Sequence, residues 1–548
     1  MDIYTELVGA LKKKRMSNDE LSKLKMKLCA KYRLREIPTN IQILLHAEKG
    51  FNIVTKPGRS LSGVTVVTIM TAPIACRHGR CAYCPGGPGS AFGDIPQSYT
   101  GNEPASMRAA RAHFDPYIQV FNRLEQYIVT GHEIDKIEMI INGGTFTSMP
   151  LSYQKSFITY ALKALNDFSD YFFRNGEIKI GKFKEFFELP GDFMNKERVK
   201  RVQNRILKLK KKSTLDKEKI RNTKAKARCV ALCIETRPDW CGKKEISNIL
   251  NFSATRVEIG VQSLQDRILE KVGRGHGVSE SILATQLLKD SLLKVCYHMM
   301  PGLPLSTKKS DIAAFKELFR NPDFRPDALK IYPTMVMQGT ELYKDWKKGN
   351  YNPLTTKQAA EIIAEAKKHI PEYCRIMRVQ RDIPTKVIAA GVDRTNLRQY
   401  VDKIMKEKNI QCRCIRCREP KQMNFADFKL KTTSYESSGG EEFFIAAESN
   451  DKLLGFCRLR IPYKPFMPQI TKKSAGIREL HVYGRAASIS KRGEIQHRGI
   501  GKALMAKAEG IARENKRGKM LIISGIGARQ YYRRLGYRLE GPYMARKL

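Results

Sequence analysis

Acidic residues are scarce in this chain: 55 Asp and Glu stand against 99 Lys and Arg, for a formal charge of +44 over 548 residues. Self-repulsion at that charge costs stability, so a polyanionic partner is expected to offset it. Nucleic acid is the first candidate and an anionic membrane surface the second. A thermophile's lysine-rich surface adds Glu alongside Lys, and here Glu does not keep pace. Long apolar runs are missing too. The longest uncharged stretch, residues 60–76, is Thr-rich, contains Pro73 and falls short of the ~20 apolar residues of a spanning helix. The N-terminus, MDIYTELVGALKKKR, starts acidic and lacks the apolar core of a signal peptide. These absences predict a cytoplasmic protein with no membrane segment. In that compartment the 13 cysteines are not expected to form a disulfide framework, and clustered ones are expected to bind metal. No internal repeat is present.

A hydrophobic content of 42% excludes a largely disordered chain, and the length predicts two to four domains. Residues 1–60 read as helical and basic. Ser17 and Glu20 occupy the reciprocal positions of a capping box, and Leu21, Leu24 and Leu28 follow at helical spacing. This is either a surface helix with solvated lysines or a nucleic-acid arm. Across 61–345, β-branched runs at 64–69, 136–141, 230–234, 256–261, 294–299 and 328–332 alternate with amphipathic stretches such as 279–291 and 312–319. That alternation predicts a parallel α/β sheet or barrel. Residues 194–228 interrupt it with a Lys/Arg-rich insertion, read as solvated helix or flexible flap, whose charge suits phosphates. Residues 346–425 read as a helical linker ending in a Cys-rich knot, and 426–548 again alternate strand and helix.

Cys76, Cys81 and Cys84 form C-x4-C-x2-C directly after the first predicted strand. Three thiolates at this spacing suit a zinc, with His78 as fourth ligand. They suit better an iron–sulfur cluster whose open iron binds a substrate or cofactor. The following Pro85-Gly86-Gly87-Pro88-Gly89 lets backbone pass close to a bulky group. Polar residues and glycines gather where predicted strands stop, at Asn142-Gly143-Gly144-Thr145, at Glu235 and Asp239, at Glu258 and Gln262, and at Gly302. Strand ends are where an α/β barrel places its site. Cys412, Cys414 and Cys417 sit in C-R-C-I-R-C and need a fourth ligand for a closed tetrahedral zinc, Cys374 first and His369 second. Such a site would pin two domains together; the alternative is free thiols in a basic loop. Near the C-terminus, Gln496-His497-Arg498-Gly499-Ile500-Gly501 fits Q-x-x-G-x-G between a predicted strand at 477–483 and a helix at 502–515. Its glycines bring backbone N–H groups to a pyrophosphate at a helix N-terminus. A strand at 520–524 follows, then Tyr531 and Tyr532 shortly before Gly536 and Tyr537.

The first of these sets resembles the radical S-adenosylmethionine (SAM) enzymes, with Tyr83 as the aromatic before the last cysteine. The extra residue between Cys76 and Cys81 departs from their common C-x3-C-x2-C. The resemblance implies a partial (β/α)6 barrel holding a [4Fe–4S] cluster on Cys76, Cys81 and Cys84. It implies SAM on the open iron, with Gly143, Gly144 and Thr145 at its amino group and Glu235, Glu258 and Gln262 along its ribose and methionine. The C-terminal set resembles the GNAT acetyltransferases. That implies acetyl-CoA held by Glu479, Leu480, His481 and Val482 and by residues 496–501, with Tyr531 or Tyr532 near the thioester sulfur.

Taken together with Leu329-Lys330-Ile331-Tyr332-Pro333, the stretch 378–384, the stretch 479–484 and Gly541-Pro542-Tyr543-Met544, the chain resembles the catalytic-subunit family of Elongator from about residue 30 onward. That resemblance implies carboxymethylation at carbon 5 of the wobble uridine of tRNA. A 5′-deoxyadenosyl radical would take hydrogen from the acetyl methyl group, the carbon radical would add to uracil, and thioester hydrolysis would leave 5-carboxymethyluridine. The target would be splayed from the anticodon loop, the kind of single-stranded site that proteins read. Lys330 and Tyr332, at a strand end, are catalytic candidates lining a cleft shared by both sites; the alternative for Lys330 is a salt bridge at the domain seam. A runner-up reading is a protein lysine acetyltransferase with a structural cluster, and a third is a tRNA-binding scaffold. The electron donor is not specified by the sequence, and a homodimer is compatible with it.

Overall fold

A computed structural model of the chain describes residues 2–14, 16, 18–34, 36–46, 63–192, 195–420, 427–484 and 499–548. Ser17, Gln496, His497 and Arg498, named above, and Met194 at the start of the basic insertion lie outside the described residues.

Two seven-stranded sheets organise the chain. The first contains β1 (Thr65–Met70), β2 (Lys136–Asn142), β3 (Arg228–Thr236), β4 (Arg256–Gln262), β5 (Lys294–Met299), β6 (Ala328–Ile331) and β7 (Arg375–Arg378). Their spatial order is their chain order and every pairing is parallel. Each strand therefore needs a crossover to return the chain to the same end, supplied by helices such as Leu151–Phe172, Val278–Asp290 and Lys308–Arg320. β1 and β7 are the two edges, so the sheet is a half-barrel. Six strands fall where the β-branched runs place them. The seventh comes from the stretch read as linker, where Arg-Ile-Met-Arg shows too short an apolar pattern to be recognised.

The basic insertion is folded, not a flap, across its described residues. Asn195 caps helix Lys196–Leu209 by accepting from the Arg198 N–H at 2.9 Å, and Val202 and Ile206 turn into the core. Buried Arg198 donates to the Glu188 carbonyl at 3.2 Å and lies 3.5 Å from Glu125. In helix Leu215–Asn222, Arg221 reaches Asp167 and Asp170 at 2.8 and 2.6 Å. Part of the cation surplus is thus spent inside the fold. At the N-terminus, helices Ile3–Lys13, Asn18–Lys31 and Asn40–His46 close a small core of their own around Leu7, Leu21, Leu28 and Ile43. Glu20, expected to cap with Ser17, accepts from Lys14 at 2.9 Å.

The second sheet contains β8 (Lys429–Ser437), β9 (Gly440–Ser449), β10 (Lys452–Ile461), β11 (Ser474–Val482), β12 (Lys519–Ile523), β13 (Arg538–Glu540) and β14 (Tyr543–Lys547), in the order β8-β9-β10-β11-β12-β14-β13. Only β11 and β12 run parallel, joined through helix Ile500–Glu514. Their pairing covers Ser474–Ile477 of β11, which continues to Val482, so the two strands part beyond Ile477.

This second sheet docks on the N-terminal ends of the barrel strands. Arg460 binds Asp290 at 2.6 and 2.9 Å, Arg458 donates to the Tyr373 carbonyl at 2.7 Å, and Tyr543 donates to the Ser291 carbonyl at 3.0 Å. Gly525 passes so close to the Val230 carbonyl that a Cβ there would collide with it. Charged side chains buried at this seam would be costly if unpaired; here Asp290, Asp327, Glu442, Arg458, Arg460 and Arg478 neutralise one another.

Candidate active site

One continuous cavity of about 1350 Å³ runs from the first cysteine trio to the second sheet. Along β2 it is lined by Lys136, Glu138, Ile140 and Asn142, every second residue, as a pleated strand presents one face. The cavity therefore follows the barrel axis over the whole length of β2. The cysteines lie at the C-terminal end, and Leu480, His481, Val482, Gly501, Tyr531 and Tyr532 lie at the other. The two predicted sites thus line one cavity, as expected for a shared cleft, and they are joined through the barrel floor.

At the cysteine end, each sulfur has a partner. Cys76 lies 3.5 Å from the Thr145 hydroxyl, Cys81 3.2 Å from His78 Nε2, and Cys84 accepts the Ser98 N–H at 3.2 Å. Burial pushes the Cys84 thiol up to about 12. The three sulfurs do not all fall within 4.8 Å of one another. A single zinc with ~2.3 Å bonds would hold three sulfurs closer than that. Gly143 and Gly144 have φ of +130° and +96°. A Cβ on Gly143 would collide with Thr71, and one on Gly144 would come 3.8 Å from the Cys76 sulfur, into the space above it. Gln262 Oε1 and Asn142 Oδ1 are buried without a protein partner, and both residues line the cavity. A polar ligand such as SAM would satisfy such groups.

The expected carboxylates divide. Glu235 faces the cavity, accepting from the Tyr99 hydroxyl and from Lys330 Nζ, both at 3.1 Å. Glu258 does not face it: wholly buried, it pairs with Lys330, with His298 Nε2 at 2.9 Å and with Arg256 at 3.2 Å. Burial opposes its charge, and Lys330, His298 and Arg256 outweigh burial and hold it well below the usual carboxylate range. Lys330 is held well above the lysine range in the same way: burial disfavours its charge, and Glu258, Tyr332 and Glu235 restore it. Its salt bridges are thus inside the barrel and not at the domain seam. Tyr332 lies beside His298, ring centroids 5.4 Å apart.

Sequence reasoning missed a chain of charges down the barrel. Glu138 and Arg256 pair at 2.5 Å, and Lys294 pairs with Glu479. Charged residues at alternate positions of strands otherwise buried on both faces were the available signal. Gln97, Ser98 and Tyr99 were also missed; Gln97 accepts the Cys76 N–H at 2.6 Å from a loop without periodicity.

The Radical SAM superfamily model matches residues 74–315, the Radical_SAM C-terminal domain 326–407 and the Acetyltransferase (GNAT) family 408–537. The chain is 45% identical over 531 residues to the tRNA uridine(34) acetyltransferase of Methanocaldococcus infernus, covering 93% of this chain and 92% of that protein. It is 38% identical over 552 residues to Elongator complex protein 3 of Homo sapiens, covering 96% and 93%. The chain belongs to the Elongator complex protein 3 (Elp3) family. The solved structure of archaeal M. infernus Elp3 with an N-terminal deletion matches it with a TM-score of 0.72 and 41% identity, over 89% of this chain and all of that one. As an Elp3-family member the chain has a radical SAM half-barrel and a GNAT domain, which imply an iron–sulfur cluster, SAM and acetyl-CoA.

In the GNAT domain, the glycine loop is described from Gly499, whose φ of +85° opens helix Ile500–Glu514. A Cβ on Gly501 would meet the Tyr531 hydroxyl at 2.9 Å. Tyr531 is half-buried over that turn, whereas Tyr532 is packed into the core at 6% exposure. His481 Nε2 is buried without a protein partner, and burial lowers the ring to about 4. Glu479 pairs with Lys294 and Arg458. In the second cysteine cluster, the ligand atoms of Cys412, Cys414 and Cys417 lie within 4.8 Å of one another, with Lys367 Nζ 3.6 Å from Cys417. Cys374, expected as fourth ligand, lies outside that group; it is fully buried and its carbonyl accepts the Ile415 N–H at 3.0 Å. Among the described residues no helix is long and apolar enough to cross a membrane.

Proposed function

We propose that this chain modifies the wobble uridine of tRNA at carbon 5, using acetyl-CoA as the source of a carboxymethyl group. The single observation that carries the reading is the continuous cavity joining the cysteine trio to the GNAT strands. Cys76, Cys81 and Cys84 hold the cluster, and Gly143, Gly144, Thr145, Glu235 and Gln262 cradle SAM. Bound there, cluster and SAM supply a carbon-centred radical able to take hydrogen from the acetyl methyl group. Leu480, His481 and Val482, with Gly499, Ile500 and Gly501, hold acetyl-CoA where β11 and β12 part, so that its acetyl end enters the barrel floor. Lys330 keeps a fixed positive charge between Glu235 and Glu258, and together with Tyr332 it positions the reacting groups. The exposed cations of the N-terminal helices and the barrel bind tRNA phosphates, as the names of the archaeal relatives suggest. Cys412, Cys414 and Cys417 hold a structural zinc in the stretch between the two sheets.

The test is anaerobic incubation of the iron-reconstituted protein with SAM, acetyl-CoA, a reductant and tRNA, followed by nucleoside analysis. The expected product is 5-carboxymethyluridine, lost when Cys76, Cys81 and Cys84 are all changed to Ala while tRNA affinity is kept. Acetyl transfer to protein lysine with unmodified tRNA would instead favour the lysine acetyltransferase reading.

A further inference from the structure

We propose that Arg274 is an electrostatic tuning residue that raises the reduction potential of the cluster held by Cys76, Cys81 and Cys84. The inference rests on the cluster reading above. Arg274 sits in the turn between helices Asp266–Lys271 and Val278–Asp290, flanked by Gly273 and Gly275 at φ of +61° and +71°. It is buried, 7% exposed, and its guanidinium is committed on every side. Nη1 donates to the Cys81 sulfur at 3.7 Å, Nη2 to the Gly260 carbonyl at 2.6 Å and Nε to His276 Nε2 at 3.0 Å.

The backbone makes room for this arrangement. A Cβ on Gly260 would stand 2.5 Å from Arg274 Nη2, and one on Gly275 would stand 2.9 Å from the His78 side chain. Among the described residues no carboxylate lies within ion-pair distance of Arg274; nearby Asp239 is taken by Arg237 at 2.8 Å. The guanidinium thus has no carboxylate in direct contact, Asp239 acting on it only from further off, and it acts on the sulfur it touches. The hydrogen-bond partners of the other two sulfurs, the Thr145 hydroxyl and the Ser98 amide, are neutral, and the cations Arg237 and Arg381 act on them without such a bond.

Reduction adds one electron to the cluster and breaks no bond. The added negative charge is favoured by a cation in hydrogen-bond contact with a ligand sulfur, screened from water. Arg274 thus makes the cluster easier to reduce, and it makes the Cys81 side of the cluster electrostatically distinct from the other two.

The experiment is a redox titration of the iron-reconstituted protein with dithionite as the one-electron reductant, following the reduced cluster by electron paramagnetic resonance. Iron and sulfide per chain are measured alongside. Arg274→Met is expected to load iron like the parent and to show a lower midpoint potential, with Arg274→Lys in between. An unchanged midpoint in fully loaded Arg274→Met overturns the proposal. A folded Arg274→Met that loads no iron also overturns it, by assigning Arg274 to holding the cysteine loop. Should Arg274→Met fail to fold, Gly260→Ala displaces the guanidinium with its charge intact; the same downward shift is expected, and its absence overturns the proposal. Failure of the parent protein to load iron would fall instead on the cluster reading.

Discussion

Arg478 donates through Nη1 and Nη2 to the two carboxylate oxygens of Asp327, at 2.8 and 2.5 Å, across the seam between the half-barrel and the GNAT sheet. Both side chains are fully buried. Asp327 just precedes β6 and also holds the Val295 N–H at 2.8 Å, while Arg478 reaches Glu442 at 3.0 Å. Removing one partner leaves a buried charge uncompensated, at a cost of about 3–5 kcal/mol. Asp327→Ala is therefore expected to lower the urea midpoint sharply. A loss below about 1 kcal/mol would show that the seam does not depend on this pair.

Acid should open the same seam. Burial opposes the charge of Glu479, and Lys294 and Arg458 outweigh burial and hold the carboxylate at about 2, below the ordinary glutamate value of 4.5. A carboxylate depressed in the folded state stabilises the protein fully above its unfolded pKa and loses that contribution as pH falls through the folded one. The window runs from about 4.5 down to about 2, and the contribution is roughly 3 kcal/mol. Glu479→Gln should flatten stability against pH across that window in urea titrations. An equally steep variant would assign the acid sensitivity elsewhere.

Tyr531 and Gly501 should be coupled in acetyl-CoA binding. Gly501→Ala places a methyl group 2.9 Å from the Tyr531 hydroxyl, so the turn or the tyrosine must shift. Calorimetry is expected to give weaker acetyl-CoA binding for Gly501→Ala, by about tenfold, and partial recovery in the double variant with Tyr531→Phe. Purely additive effects would mean that the contact is irrelevant to the ligand.

A structural zinc on Cys412, Cys414 and Cys417 predicts about one zinc per chain after mild iron chelation. Cys414→Ser should remove it and lower the melting temperature, whereas Cys374→Ser should keep it, because Cys374 lies outside the converging group. Loss of zinc in Cys374→Ser would restore that residue as the fourth ligand.

Binding of tRNA should weaken steeply with salt, each phosphate contact adding about −0.9 or −0.7 to the slope of log K against log salt. Insertion cations already paired inside the fold should contribute little. Arg221→Gln is expected to cost stability through Asp167 and Asp170 and to leave the slope unchanged.

The barrel and GNAT layouts were legible because strand alternation, β-branched runs and glycine turns are local signals. The cysteine trio was legible because its members lie within nine residues of one another. Alternatives stayed open wherever partners come from distant segments. Lys330 could be read as catalytic or as a seam salt bridge; its partners Glu235 and Glu258 stand 95 and 72 positions earlier in the chain.

The sequence by itself determined most of the strands and helices and which cysteines and glycines fall close together, since periodicity, capping and residue spacing act within a few residues. The tertiary structure alone decided that the GNAT sheet meets the barrel at its floor, that one cavity links the two ends, that Glu258 is withdrawn behind Lys330, and that Tyr531 and not Tyr532 covers Gly501. Those outcomes depend on buried charges finding opposite charges across hundreds of residues, and a pairing of that kind leaves no periodic trace in the chain.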